Sequence, residues 1–424
     1  MTISFKTIAE RKGIIEKNYV FILAALLYFF FGSLFHCSGY FQSLDCEVYN
    51  SAVEGVLNGS FEIYTFRGSS LVSPPHGNTF DYPGMPVYLM VPPTLFAKLI
   101  NKNPCIFLGL FFILLDILCV WEIRRTIKHI KPDISPKIIE FISVALFGSY
   151  TLIYTSSFLN HFDSFFVYCM IIGIRYINTN KFISGIFFGL GLATKQVVVI
   201  GLIPLGMFLL FNNWNNRLVK ENLRFYTPLI IIFSMIFLPF FIADPEGATW
   251  GVFDQQNNRT IAWWSCYRLL ELLIFYETLT PVISKLLSFF QTYSNYLIII
   301  STLISTSLVM KYNFQKNLTY LFGLFTLAFL LIPLLGKWSL ASYALPALIF
   351  FMVWDTLRVN KTYFFPFFSI TFLILMGRLY DFESGKLITF DNQPSYASVF
   401  GSFVLYFSGF LYVFSRMMKE KYKN

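Results

Sequence analysis

In a chain otherwise poor in charge, a few ionisable residues stand at the edges of apolar runs, where charge is costly and tends to mark function. Lys195 interrupts Gly189-Leu190-Gly191-Leu192-Ala193-Thr194-Lys195-Gln196 in a tight turn that needs no charge for solubility. A lysine there can snorkel, or it can offer a point charge to a lipid-borne phosphate. His161-Phe162-Asp163 follows Asn160 between two apolar runs and suits either a cavity or a plain helix cap. Arg259, Trp263, Trp264, Tyr267 and Arg268 combine aromatic faces with guanidinium groups, which fits sugar stacking and phosphate pairing as well as interfacial anchoring. Lys337 and Tyr343 flank Trp338-Ser339. Asp116 lies within an apolar run and reads as a helix-packing hydrogen-bond partner.

The stretch from His36 to Pro93 is the longest part of the first hundred residues that cannot sit in lipid. It carries Asp45, Glu47, His76 and a proline-rich close, Asp81-Tyr82-Pro83-Gly84-Met85-Pro86. Val48, Ala52, Val53, Val56 and Leu57 recur at helical spacing before Asn58-Gly59, so Asp45 stands at the start of an amphipathic helix. A solvated N-cap and an active-site carboxylate both fit that position.

These residues must be positioned by membrane helices. Of 424 residues 56% are hydrophobic and only 13% charged, with a mean hydropathy of +0.61. Apolar runs of about 17 to 20 residues recur, the length a bilayer core requires, and the absence of strand-like alternation argues against a barrel. The first run, Tyr19 to Phe35, is too long for a cleavable leader and is expected to be a retained span. The net charge of +9 is the balance that orienting basic residues give, with no need of a nucleic acid. Six cysteines show no metal-ligand spacing and no dense disulfide pattern, and any pairing is left open.

Threading by lysine and arginine bias gives an all-α, polytopic protein of about twelve transmembrane helices, a single domain over 1–424. Lys6, Arg11, Lys12 and Lys17 place the N-terminus in the cytoplasm. Met85 to Ile100, with Pro86, Pro92 and Pro93, becomes an interfacial or re-entrant helix rather than a span, because Arg124, Arg125, Lys128, Lys131 and Lys137 then fall inside. Spans follow near Cys105–Trp121, Ile138–Tyr154, Phe165–Ile177, Phe182–Ala193, Val197–Phe211, Phe225–Ile242, Tyr296–Met310, Leu318–Leu335, Tyr343–Trp354, Tyr363–Met376 and Ala397–Phe414. Asp45, His161 to Asp163, Lys195, the loop Asp244 to Leu286, and Lys337 then share the extracytoplasmic or luminal face. No nucleotide-binding glycine loop, serine elbow or His-Glu-x-x-His motif occurs, so a transferred group would arrive already activated.

The combination resembles the GT-C superfamily of glycosyltransferases, and within it the polyprenyl (dolichyl)-phosphate-mannose-dependent mannosyltransferases, GPI mannosyltransferase I among them. Carrying the resemblance are Asp45 to Tyr49 with Ala52, Gly59, Tyr64 and the Tyr82 to Pro86 close; Asn160 to Asp163; Gly185 to Gly191 with Lys195 and Pro204; and Lys337-Trp338-Ser339 with Tyr343 and Pro346. The sequence departs from the pattern at Ser43, where an aspartate is expected, at Ser342 for glutamine, and at Ala344 or Leu345 for tryptophan. The resemblance implies transfer of a sugar from a polyprenyl phosphate to the hydroxyl of a lipid-linked or glycan acceptor, with inversion. Asp45 would be the general base; Lys195, Arg259, Lys337 and His161 would bind the donor phosphate. Asp163, Glu47, Tyr82, Trp263 and Tyr343 would contact acceptor or sugar. No metal is required, although Asp45 and Glu47 could hold one divalent cation. A secondary transporter or flippase of lipid-linked sugars is the alternative from another class; it would place its ionisable groups nearer the bilayer middle.

Overall fold

The structure is a computed structural model and describes residues 5–37, 44–64, 80, 82–153, 161–212, 218–254, 262–263, 265–275, 280–339, 341–359, 380–381, 386–387 and 396–420. The expected span Tyr363–Met376 lies outside these residues.

Among the described residues the chain is helical apart from two pairs of two-residue strands. α1 (Phe5–Cys37), α2 (Leu44–Leu57) and α3 (Met85–Leu99) precede α4 (Pro104–Ile130), α5 (Pro136–Phe147) and α6 (Tyr150–Ile153). α7 (Asp163–Tyr176), α8 (Lys181–Thr194), α9 (Val198–Asn212), α10 (Leu218–Ala243) and α11 (Pro245–Thr249) follow. After a 3-10 helix at Cys266–Phe275 come α12 (Thr280–Asn313), α13 (Leu318–Leu335), α14 (Ala341–Val359) and α15 (Tyr396–Lys419). Among the described residues, five helices are long and apolar enough to cross a bilayer: those covering Pro104–Ile130, Lys220–Ala243, Thr280–Asn313, Leu318–Leu335 and Val399–Lys419. Shorter apolar helices at Asn18–Leu34, Lys181–Thr194 and Val198–Phe211 accompany them. The chain is an integral membrane protein.

Local signals explain the boundaries. Asn103, Asn180 and Asn317 head α4, α8 and α13, their side chains accepting from the N–H of Cys105 (2.9 Å), Ile183 (3.2 Å) and Tyr320 (2.7 Å), which satisfies donors that a helix start leaves open. α13 is wrapped on every side, its residues 320–334 all buried, and packs against α9, α12, α14 and α15. α8 and α10 lie together because Gly185 and Gly189 leave room: a Cβ on Gly185 would stand 2.1 Å from the Phe225 carbonyl oxygen, and one on Gly189 2.7 Å from that of Leu229. This is the small-residue spacing by which membrane helices approach closely. Within the bundle Tyr28 of α1 donates a hydrogen bond to Asp116 of α4, the packing role expected for that carboxylate.

Two expectations need correction. The single span Ile138–Tyr154 is broken: α5 ends at Gly148, whose N–H closes on the Val144 carbonyl, and α6 starts afresh at Tyr150. Helix α12 begins at Thr280, well before the expected Tyr296; Pro281 sits in its first turn, where the missing N–H costs nothing. Its polar Ser, Thr and Gln residues hid this extension from a hydropathy reading.

The end of the bundle that holds most of the orienting lysines and arginines is cross-linked by ion pairs. Arg124 meets Glu140 (2.6 Å), Arg175 meets Glu122 (2.6 Å), Lys181 meets Glu221 (3.1 Å) and Arg358 meets Glu420 (2.7 Å). Asn313 of α12 also donates to the Met417 and Glu420 carbonyls at the end of α15, both at 2.7 Å. The opposite end carries a second apolar cluster, distinct from the bundle core. It joins Cys46, Tyr49 and Val53 of α2 and Phe80 and Tyr82 of the loop to Met90 of α3, Phe112 of α4, Phe162 before α7 and Phe240 of α10.

Candidate active site

This second cluster carries the site. α2 supplies Asp45 in its first turn and Tyr49 one turn later; the side chains of Asp45 and Glu47 lie outside what the structure describes. Tyr49 packs among Phe80, Tyr82, Phe112 and Phe162, with ring centroids 5.7 to 6.4 Å apart. A disulfide joins Cys46 to Cys105 at the start of α4 across a sequence separation of 59 residues. Nothing in the cysteine spacing signals that pairing.

The close of the first loop is held from both sides. The Tyr64 hydroxyl donates to the Tyr82 carbonyl at 2.9 Å. Gly84 takes φ +84°, and a Cβ there would lie 2.5 Å from the Phe240 ring, so backbone conformation and close packing both select glycine. Tyr82 is thereby set edge-on to Phe162, 4.8 Å between centroids.

Beneath Tyr82 lies Lys195, in the short link between α8 and α9. Its backbone leaves the helix in an extended conformation while its N–H still donates to the Gly191 carbonyl at 3.0 Å. The ammonium donates to Asp163 Oδ1 at 2.6 Å, and both side chains are buried, 6% and 1% exposed. Three rings complete the surroundings: Tyr343 at 5.0 Å from Nζ, and Tyr82 and Phe166 each at 5.8 Å. Ring faces attract such a cation, the more so when it is desolvated. Asp163 opens α7, where the helix dipole favours a carboxylate. His161 is also buried, its Nδ1 4.0 Å from Asp163 Oδ2.

Of the residues singled out from sequence, the structure therefore gathers Lys195, Asp163, His161, Tyr82 and Tyr343 into one buried constellation. Lys337 is buried differently: its Nζ donates to the Gln291 carbonyl of α12 at 2.5 Å, and burial lowers its pKa from the ordinary lysine value. Of Trp263 the structure describes the backbone: Ala262–Trp263 (β1) pairs in parallel with Trp338–Ser339 (β2) and ties the long loop after α10 to the turn after α13. Tyr267 strengthens that tie, donating to the Leu335 carbonyl at 3.0 Å and stacking on Phe290 at 4.3 Å. Arg259, Trp264, His76, Asp81 and Asn160 lie outside the described residues. Tyr49, Phe162 and Phe166 were not nominated for the site; in a chain with 20% aromatic residues their rings carry no distinguishing signal. Among the described residues no group of three or more His, Cys, Asp or Glu side chains is arranged to hold a metal ion.

The chain is similar in fold to ArnT from Cupriavidus metallidurans, solved bound to undecaprenyl phosphate, with a TM-score of 0.56 at 12% identity over 95% of this chain and 77% of that one. At that identity the likeness is one of fold. No protein-family model matches the sequence, and no curated protein is similar to it.

Proposed function

We propose that this protein is an inverting glycosyltransferase that moves a sugar from a polyprenyl-phosphate carrier to an acceptor hydroxyl. The observation that carries the reading is the buried Lys195–Asp163 pair beneath Tyr82 and Tyr343, in a fold like that of a protein solved with undecaprenyl phosphate. A lipid phosphate leaving the anomeric carbon develops negative charge, and a desolvated ammonium is the group to stabilise it. Lys195 is assigned that role, and His161, Arg259 and Lys337 are assigned to the same phosphate. Asp163 holds the ammonium until a phosphate arrives and then turns to the acceptor.

In the step itself the acceptor oxygen attacks the anomeric carbon from the face opposite the phosphate. The carbon–oxygen bond to phosphate breaks, and polyprenyl phosphate leaves with the bonding pair. The acceptor proton passes to Asp45. Glu47, Trp263, Tyr82 and Tyr343 are assigned to contact sugar and acceptor, a lipid-linked saccharide or glycan. The resemblance of the Lys195 and Lys337 turns to mannosyltransferases makes mannose the favoured sugar. The Cys46–Cys105 bond beside Asp45 supports an extracytoplasmic or luminal site, since disulfides persist in oxidising compartments.

Purified protein incubated with polyprenyl-phosphate mannose, glucose and pentose, with lipid-linked and free glycan acceptors, should yield glycosylated acceptor and polyprenyl phosphate in equal amounts. Asp45→Asn should lower kcat at least about 100-fold. Equal transfer by wild type and Asp45→Asn removes Asp45 as the base; donor moved across vesicle membranes without transfer replaces the enzyme with a flippase. Chelation with EDTA should leave the rate unchanged, because side-chain cations are assigned the phosphate. A loss restored by Mg²⁺ or Mn²⁺ would give Asp45 and Glu47 a metal instead.

A further inference from the structure

The helix that carries Asp45 is only 14 residues long, and its attachments are unevenly distributed. Val48, Tyr49, Ala52 and Val53 bury its middle in the outer cluster. Towards its C-terminal end Glu54 pairs with Lys98 of α3 at 3.2 Å, both side chains 44% exposed, a contact that water weakens. The first turn has no such support from within the helix, because the leading N–H groups of any helix lack intrahelical partners. What fixes that turn is Cys46, fully buried, adjacent to Asp45 in sequence and bonded to Cys105. Cys105 is a firm post, since it lies in a first turn begun by Pro104 and capped by Asn103.

We propose that the Cys46–Cys105 disulfide is a positioning device for transfer: it holds the first turn of α2 where Asp45 can reach the acceptor, while the aromatic cluster holds the fold. The inference rests on the reading of Asp45 as the base. It differs from the ordinary role of a disulfide, which is to stabilise the folded state by restricting the unfolded chain. A misplacement of about 1 Å at a reacting group can cost on the order of 100-fold in rate. The loss should therefore fall on kcat, with the KM for donor held by the Lys195 constellation.

Two preparations test this: folded wild type treated with dithiothreitol, and the double variant Cys46→Ser with Cys105→Ser. Reduction consumes two electrons and two protons from dithiothreitol, which closes to its cyclic disulfide and leaves two protein thiols to be counted. Each preparation is assayed with polyprenyl-phosphate mannose or whichever donor the wild type uses, alongside its melting temperature and elution profile. The expected result is a monodisperse protein with kcat lowered by about 10- to 100-fold, donor KM within about twofold of wild type, and activity recovered when the reduced wild type is reoxidised. Wild-type kcat with both thiols free overturns the inference, as does a loss of activity that only follows aggregation, which would make the bond structural. Absence of transfer by the oxidised wild type with every donor overturns the enzymatic reading, and the inference with it.

Discussion

Removing the Lys195 ammonium and removing its carboxylate should each destabilise the fold, because each leaves the other charge buried. Lys195→Met strands Asp163, and Asp163→Asn strands Lys195; each single change should cost about 3 to 5 kcal/mol of stability, and the double variant distinctly less than their sum. A melting-temperature cycle reads that coupling, while transfer should be lost in both Lys195 variants. Lys337 offers a test through pH. Burial lowers its folded pKa below the ordinary 10.5, so the unfolded state binds the extra proton and wild-type stability, measured against Lys337→Met, should rise with pH from the lowered value up to about 10.5. A difference that stays flat from pH 7 up to about 10.5 would contradict that burial. At this scale Lys195 and Asp163 were legible in the sequence, since a charge beside an apolar run announces itself. Their pairing was not, because a separation of 32 residues carries no signal. Nor was the Lys337–Gln291 contact, which depends on α12 beginning earlier than its hydropathy suggests.

Helices place these residues through a few tight backbone approaches. Gly84→Ala would force a side chain into φ +84° and against Phe240, a cost of about 1 to 3 kcal/mol, and should loosen Tyr82 over Lys195. The check is a melting temperature together with donor KM, which should both worsen. Gly185→Ala meets backbone rather than a movable ring, so α8 and α10 must separate; a larger loss of stability than at Gly84 is expected. Leu318–Leu335 was legible to the residue because its apolar run is bounded by Asn317 before it and by Gly336 and Lys337 after it. The break at Gly148 and Ser149 was not, since one glycine in an apolar run is compatible with a continuous span. Met85 to Ile100, expected as an interfacial or re-entrant helix, is α3, which packs on α2 and α4.

For the whole molecule, the distribution of charge separates two ends. Asn101→Cys, beside the disulfide end, should react with an impermeant maleimide from outside intact cells, and Asp133→Cys only after permeabilisation; both positions are exposed. The reverse pattern would invert the proposed orientation. Arg124, Lys181 and Arg358, basic residues of the threading, are ion-pair partners as well, so the bias was readable while its carboxylate complements on other helices were not. The contacts of α15 have a consequence for synthesis. Asn313, Gln315 and Arg358 all bind the backbone or side chain of Glu420, a residue made more than 60 positions after the last of them. The disulfide can close once Cys105 has been delivered, but these three donors wait until the final helix emerges. A nascent chain stopped short of Glu420 would thus leave Arg358 with Asp355 but without its second carboxylate, a mark by which quality control could recognise the shortened chain.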